Sequence, residues 1–140
     1  MRGIRVAVLC LAVVVLASSA AKRWEPFTPG ERTSDSDDAA LTTAAGQVMT
    51  DYGLTVQSAV GGLVTTEWAV LTESVEASMG DPNAAPQARW VTTIRSGSVR
   101  VAIQCRYRNG TSCDGKLPNG AKWSAQADEM AEAIVRAAGG

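Results

Sequence analysis

The chain contains no histidine. That removes the Ser–His and Cys–His nucleophile pairs and the commonest zinc and haem ligands. Cysteine is scarce as well, three in 140 residues. Seven residues separate Cys105 from Cys113, so the Cys-x-x-Cys spacing of a redox pair is missing. Neither sign of charge dominates. Thirteen basic residues stand against 14 acidic ones, and a net charge of −1 makes no whole-protein case for nucleic acid. No internal repeat is visible, and nothing in the sequence implies a cofactor or a metal.

The N-terminus, by contrast, is informative. Met1 to Arg5 is a short basic head, Val6 to Leu16 an unbroken apolar run, and Ala17 to Ala21 a tail of small residues. Ser18-x-Ala20 or Ser19-x-Ala21 fits a signal-peptidase site, so residues 1–21 read as a cleaved secretory signal. Two alternatives remain. An uncleaved anchor suits Lys22 and Arg23, although Val6 to Ala21 is shorter than the roughly 20 residues of a spanning helix. A lipoprotein signal would use Cys10, but Leu9 precedes it and most of the apolar run follows it. The cleaved reading predicts a periplasmic or secreted protein with no stable transmembrane segment. Cleavage removes Arg2 and Arg5 and takes the net charge from −1 to −3. Export permits disulfides, so Cys105 and Cys113 read as one bond. The excess of Arg over Lys and the abundant Ala read as a bacterial coding bias.

Residues 22–33 read as an extended lead-in, with two prolines and a glycine, and 34–140 as one domain. Ser34-Asp35-Ser36-Asp37-Asp38 opens a helix, because short oxygen side chains cap free N–H groups and acids suit the positive end of the dipole. Leu41, Ala44, Ala45, Val48, Met49 and Tyr52 share one face of it, and Gly53 ends it. Residues 54–60 and 63–71 alternate as strands around Gly61-Gly62, with Val64, Thr66, Trp68 and Val70 on one face. A loop follows to residue 87.

Residues 89–96 and 99–108 then form a hairpin. A type II′ turn at Gly97-Ser98 sets Ile94 against Val101, Thr92 against Ile103 and Trp90 against Cys105 on a buried face. The same register sets Arg95 against Arg100 and Arg89 against Arg106 on the other face. A short loop at Arg108-Asn109-Gly110 brings Cys105 opposite Cys113. Residues 116–122 read as loop. Ser124 caps a last helix with Ala127, Met130, Ala131, Ile134 and Ala138 on its apolar side. The expectation is an α+β two-layer sandwich, a four-stranded antiparallel meander with an N-terminal and a C-terminal helix, in the order α-β-β-β-β-α.

Tyr52-Gly53-Leu54-Thr55-Val56, then Gly62 to Trp68 (GLVTTEW), a strong hairpin and a terminal helix resemble small bacterial envelope domains of the helix-grip kind. The nearest resemblance is to the repeated domain of component C of the outer-membrane barrel-assembly machinery. It spans about Ser34 to Ala138 and rests on element order. The chain departs from that family in lacking a lipobox cysteine, in having one such domain and in pairing two cysteines. The resemblance implies a non-enzymatic envelope role and carries over no site residues.

The functional candidates are the four arginines Arg89, Arg95, Arg100 and Arg106. Like charges directly opposite on a sheet are unfavourable, so such a face would be retained for an anionic partner. The partner would be an envelope protein or an anionic envelope component. The bland alternative is a solvated face relieved by Glu67. Glu73 with Glu76, and Asp128 with Glu129 and Glu132, read as surface acids rather than acid–base pairs. Trp68 and Trp90 read as core in preference to a ligand groove. Asn109-Gly110-Thr111 reads as a turn in preference to a glycosylation site. The leading expectation is a non-catalytic exported binding domain. A small-ligand helix-grip module is second and an enzyme third.

Overall fold

The computed structural model describes residues 24–70, 86–107, 110–113 and 115–139. The secretory-signal reading falls on residues outside this set. In chain order the elements are β1 (Trp24–Pro26), β2 (Gly30–Thr33), α1 (Asp38–Asp51), β3 (Val56–Val60), β4 (Leu63–Thr66), β5 (Ala69–Val70), β6 (Gln87–Arg95), β7 (Ser98–Arg106), β8 (Lys116–Pro118) and α2 (Gly120–Gly139). Two helices pack against an antiparallel sheet, so the fold is α+β. The meander of four strands is present as β3-β4-β6-β7, but the sheet is larger than that. β2 adds to the far side of β7, β5 pairs with β6, and β1 with β8 makes a second, two-stranded sheet. The stretch read as a lead-in is extended, and its two strands are part of these sheets.

Helix α1 forms where its cap allows it. The Asp37 carboxylate accepts from the Ala40 N–H at 2.7 Å. Leu41, Ala44, Ala45, Val48 and Met49 are buried on one face. The helix ends when Leu54 N–H reaches back to the Met49 carbonyl and Gly53 N–H to that of Thr50. Gly53 takes the left-handed φ of 81° that this Schellman closure requires. Tyr52 lies at that cap and is partly exposed.

The β6–β7 hairpin differs from expectation by two residues. Arg95 pairs with Ser98, Ile94 with Val99, Thr92 with Val101, Trp90 with Ile103 and Ala88 with Cys105. The turn is therefore Ser96-Gly97, with φ of 50° and 78°. Positive φ at both central residues makes a type I′ turn rather than II′. A serine seldom adopts that φ. Here the Asp38 carboxylate at the start of α1 accepts from both Ser96 N–H (3.1 Å) and Gly97 N–H (3.0 Å). Because side chains alternate with period two, a slip of two leaves the faces unchanged. Trp90, Thr92, Ile94, Val99, Val101 and Ile103 are all buried. The slip does separate the arginines. Arg89 faces Gln104, Arg106 faces Gln87, Arg100 faces Thr93 and Arg95 faces Ser98, so no arginine opposes another.

Two further segments differ. Residues 116–122 are not loop but β8 and the first turn of α2. Asn119, with φ 55°, supplies the sharp entry, and Gly120 lets the helix start against the Glu25 carbonyl, where a Cβ would lie 2.3 Å away. Ser124 is thus inside the helix. Its hydroxyl donates to the Gly120 carbonyl and accepts from Thr28 N–H, both at 2.8 Å. The strand read over 63–71 breaks after Thr66, which resets the alternation before Trp68.

Helix α2 is tied to the sheet edge by Arg32 of β2 and Asp128, whose forked pair spans 2.6 and 2.8 Å. The Arg32 hydrogen bonds hold the Asp128 carboxyl below its ordinary value, and the same bonds raise the Arg32 pKa. A carboxylate with a depressed folded pKa stabilises the fold above the ordinary aspartate value of about 3.9 and loses that contribution as pH falls through the folded value. Asp128→Asn should therefore melt slightly below the parent at neutral pH. The gap should close as pH drops below about 4 in thermal melts, and a gap that persists there would exclude the pair as its source.

Candidate anion-binding site

The outer face of the sheet, away from the helices, carries the four arginines. Two of them come together. Arg89 Nε donates to Gln104 Oε1 at 2.7 Å, and Arg106 Nε donates to Gln87 Oε1 at 3.2 Å. Each glutamine is the direct cross-strand neighbour of its arginine. Both guanidinium groups also lie over the Trp68 ring, at 4.8 Å from its centroid for Arg89 and 3.9 Å for Arg106. The break after Thr66 is what delivers Trp68 to this face, whereas Val64 and Thr66 point into the core.

These contacts orient the cations without neutralising them. A neutral amide occupies each Nε and a ring face supports each plane, and neither contact uses the terminal nitrogens, which suit a forked anion contact. Among the described residues no carboxylate makes an ion pair with either group. The other two arginines sit roughly 20 Å along the hairpin, six residues away at strand spacing. Arg100 pairs with Glu31 at 3.5 Å, and Arg95 lies beside the turn.

Next to this pair is a cavity of about 480 Å³. Phe27, Ile103, Leu117 and Trp68 line it with apolar surface, and Arg106 and Lys116 supply positive charge. Its size is that of a small-molecule or side-chain pocket. Trp90 is not part of it. That ring is buried, edge-on to Trp123 with centroids 6.0 Å apart, and its Nε1–H donates to Gln126 Oε1 at 3.1 Å. The two tryptophans thus lie on different sides of the sheet, and the space between Trp90 and α2 is filled.

The Cys105–Cys113 disulfide borders the cavity, with Cα atoms 5.4 Å apart. Cys113 N–H donates to the Cys105 carbonyl, Arg106 bridges to Ser112, and Tyr107 N–H donates to the Thr111 carbonyl. The bond therefore fixes the end of β7 that presents Arg106. Closing so short a loop contributes roughly 2–3 kcal/mol in the chain-entropy account. Reduction should lower the unfolding free energy from urea titration by that amount and leave the domain folded. Mass mapping that finds both thiols free in exported protein would refute the bond.

The acids on α2 have other partners. Asp128 holds Arg32, Glu132 pairs with Arg136 at 3.1 Å, and Glu129 lies 3.5 Å from the Tyr52 hydroxyl. Burial, then Glu129, raises the Tyr52 pKa. Among the described residues no three potential metal-binding side chains come together. Glu73, Glu76 and Asn109 lie outside those residues. Comparison with known proteins gives no matching family model and no matching curated protein.

Proposed function

We propose that this is an exported envelope domain that binds an anionic macromolecule, without catalysis, through Arg89, Arg106 and Trp68. The observation that carries the reading is the pair of guanidinium groups held by neutral glutamines and one indole ring. A merely solvated arginine has no need of that support, since exposed charges contribute little to stability. Export rests on the N-terminal leader. The disulfide is consistent with an oxidising compartment. Among the described residues no helix is long and apolar enough to cross a membrane. The second reading, a small-ligand module gripped between helix and sheet, loses support from the packed Trp90, although the cavity beside Trp68 leaves room for it.

The test compares two double variants on a polyglutamate column and in pull-downs from envelope extract. Arg89→Gln with Arg106→Gln should weaken binding at least about tenfold, the loss expected from one charge-assisted hydrogen bond or more. Arg95→Gln with Arg100→Gln should change it far less. Added salt should mimic the first variant. Equal retention of both variants would remove the anion-binding reading.

A further inference from the structure

Two strand segments line the 480 Å³ cavity, and they repeat one pattern. From β7 come Ile103 and Arg106, and from β8 come Lys116 and Leu117. In each pair one member is buried and the other reaches water. Ile103 and Leu117 are buried, Lys116 is exposed and Arg106 is half-buried. The strand period of two is the cause, since it sends residues one or three apart to opposite faces. A cavity that meets both faces of both strands therefore has an apolar floor and a cationic rim. Phe27 packs against the core and extends the floor. At the rim the Arg106 guanidinium lies 3.9 Å from the centre of the Trp68 ring, with its Nε held by Gln87.

The two segments are fastened together beside the cavity. The Cys105–Cys113 bond joins β7 to the chain that leads into β8, and Phe27 N–H donates to the Gly115 carbonyl at 3.1 Å. Floor and rim are thus held in place before a ligand arrives, which lowers the ordering cost of binding. The volume is at the lower end of the roughly 300–1,000 Å³ range of small-ligand pockets, which suits a chain end and not a long segment.

Resting on the anion-binding reading above, we propose that this cavity receives the C-terminal residue of a partner protein, one with a large apolar side chain. The side chain enters between Phe27, Ile103 and Leu117. The α-carboxylate stays at the rim, where the terminal nitrogens of Arg106 fork onto it and Lys116 adds a point charge. A C-terminal residue carries the apolar group and the anion on one Cα. Within an extended chain the two would come from successive residues, whose side chains point to opposite sides. A polyphosphate brings the charge and nothing for the floor. Capture of a terminal carboxylate is a recurring mode of peptide recognition, and here charged side chains take the place of a backbone nest.

The probe is an N-acetylated pentapeptide, Gly-Ser-Gly-Ser-Phe, with a free C-terminus. It is titrated into the intact disulfide-bonded protein by NMR, with the Ile103 and Leu117 methyl signals as reporters. Two controls change one feature each, a C-terminal amide and a terminal Ser in place of Phe. The free acid should bind and shift both methyl signals. The amide should bind at least about tenfold more weakly, the loss expected from one charge-assisted hydrogen bond or more. The terminal Ser should also cost about tenfold or more, for the apolar burial it forgoes. Lys116→Gln should weaken the free acid and leave the amide unchanged, because the coupling is to the carboxylate. Equal affinities for acid and amide would overturn the proposal, as would a free acid that fails to bind or that binds without moving either methyl signal. If polyglutamate retention still falls in Arg89→Gln with Arg106→Gln, the anion-binding reading survives that failure. If that variant behaves as the parent, both readings fall.

Discussion

Gly30→Ala should lower the stability of the domain by about 3 kcal/mol, at the upper end of what overpacking usually costs. An added Cβ would lie 2.2 Å from the Ala127 carbonyl oxygen, 2.5 Å from its carbon and 2.6 Å from Asp128 N. All three are backbone atoms in the middle of α2, so no side chain can swing away. Either β2 leaves β7 or the helix moves off the sheet, and each movement disturbs the neighbouring Arg32–Asp128 fork. Gly46 is the control. It lies inside α1 with nothing within 4 Å of an added Cβ. Gly46→Ala should therefore stabilise the protein by up to about 1 kcal/mol through helix propensity alone. Urea unfolding of the two variants should move in opposite directions. A Gly30→Ala change of less than about half a kcal/mol would mean that β2 and α2 do not meet this closely.

Local features were the legible ones. Asp37 and the apolar spacing from Leu41 to Met49 place α1 because cap, periodicity and closing glycine all lie within one stretch of chain. The buried face of the hairpin is legible for a different reason. It depends only on odd and even positions, which a two-residue slip preserves. The turn itself was not legible, since Ser96 holds its positive φ beside a carboxylate 58 residues away in sequence. The lead-in hid two strands because β1 and β2 are three and four residues long and bordered by prolines. Their pairing is decided by β8 and β7 and not by their own composition. The first turn of α2 was hidden by a glycine, normally a stop signal, which here allows the close approach to Glu25.

The candidate site was half legible. Arg89 and Arg106 could be placed on the outer face from alternation alone. Their partners could not, because Gln87 and Gln104 become neighbours only in the true register. The repulsion expected between opposed arginines disappears with that register. Trp68 was assigned to the core because the strand containing it was read as continuous. The signal available was Glu67-Trp68 itself, a charged residue beside a large ring that follows the Leu63-Val64-Thr65-Thr66 run.

The fate of Trp90 separates the core from the site most directly. Trp90→Ala should cost about 3–5 kcal/mol, the usual loss for truncating a buried aromatic. That is a large part of the 5–15 kcal/mol by which domains are stable. The ring is 5% exposed, packs edge-on against Trp123, and has its N–H satisfied by Gln126. Truncation leaves a cavity under α2 and an amide oxygen without its donor. Trp90→Phe keeps most of the apolar burial and loses the hydrogen bond, so its cost should be nearer 1 kcal/mol plus the smaller volume. The Phe variant should stay folded and retain affinity for the polyglutamate probe, because Trp90 and the Arg89–Arg106 pair lie on opposite faces of the sheet. Denaturant melts and the column assay on the same preparations decide the point. If Trp90→Phe folds normally and loses anion binding, the inner face belongs to the binding site, and the space beneath α2 would have to open to admit a ligand.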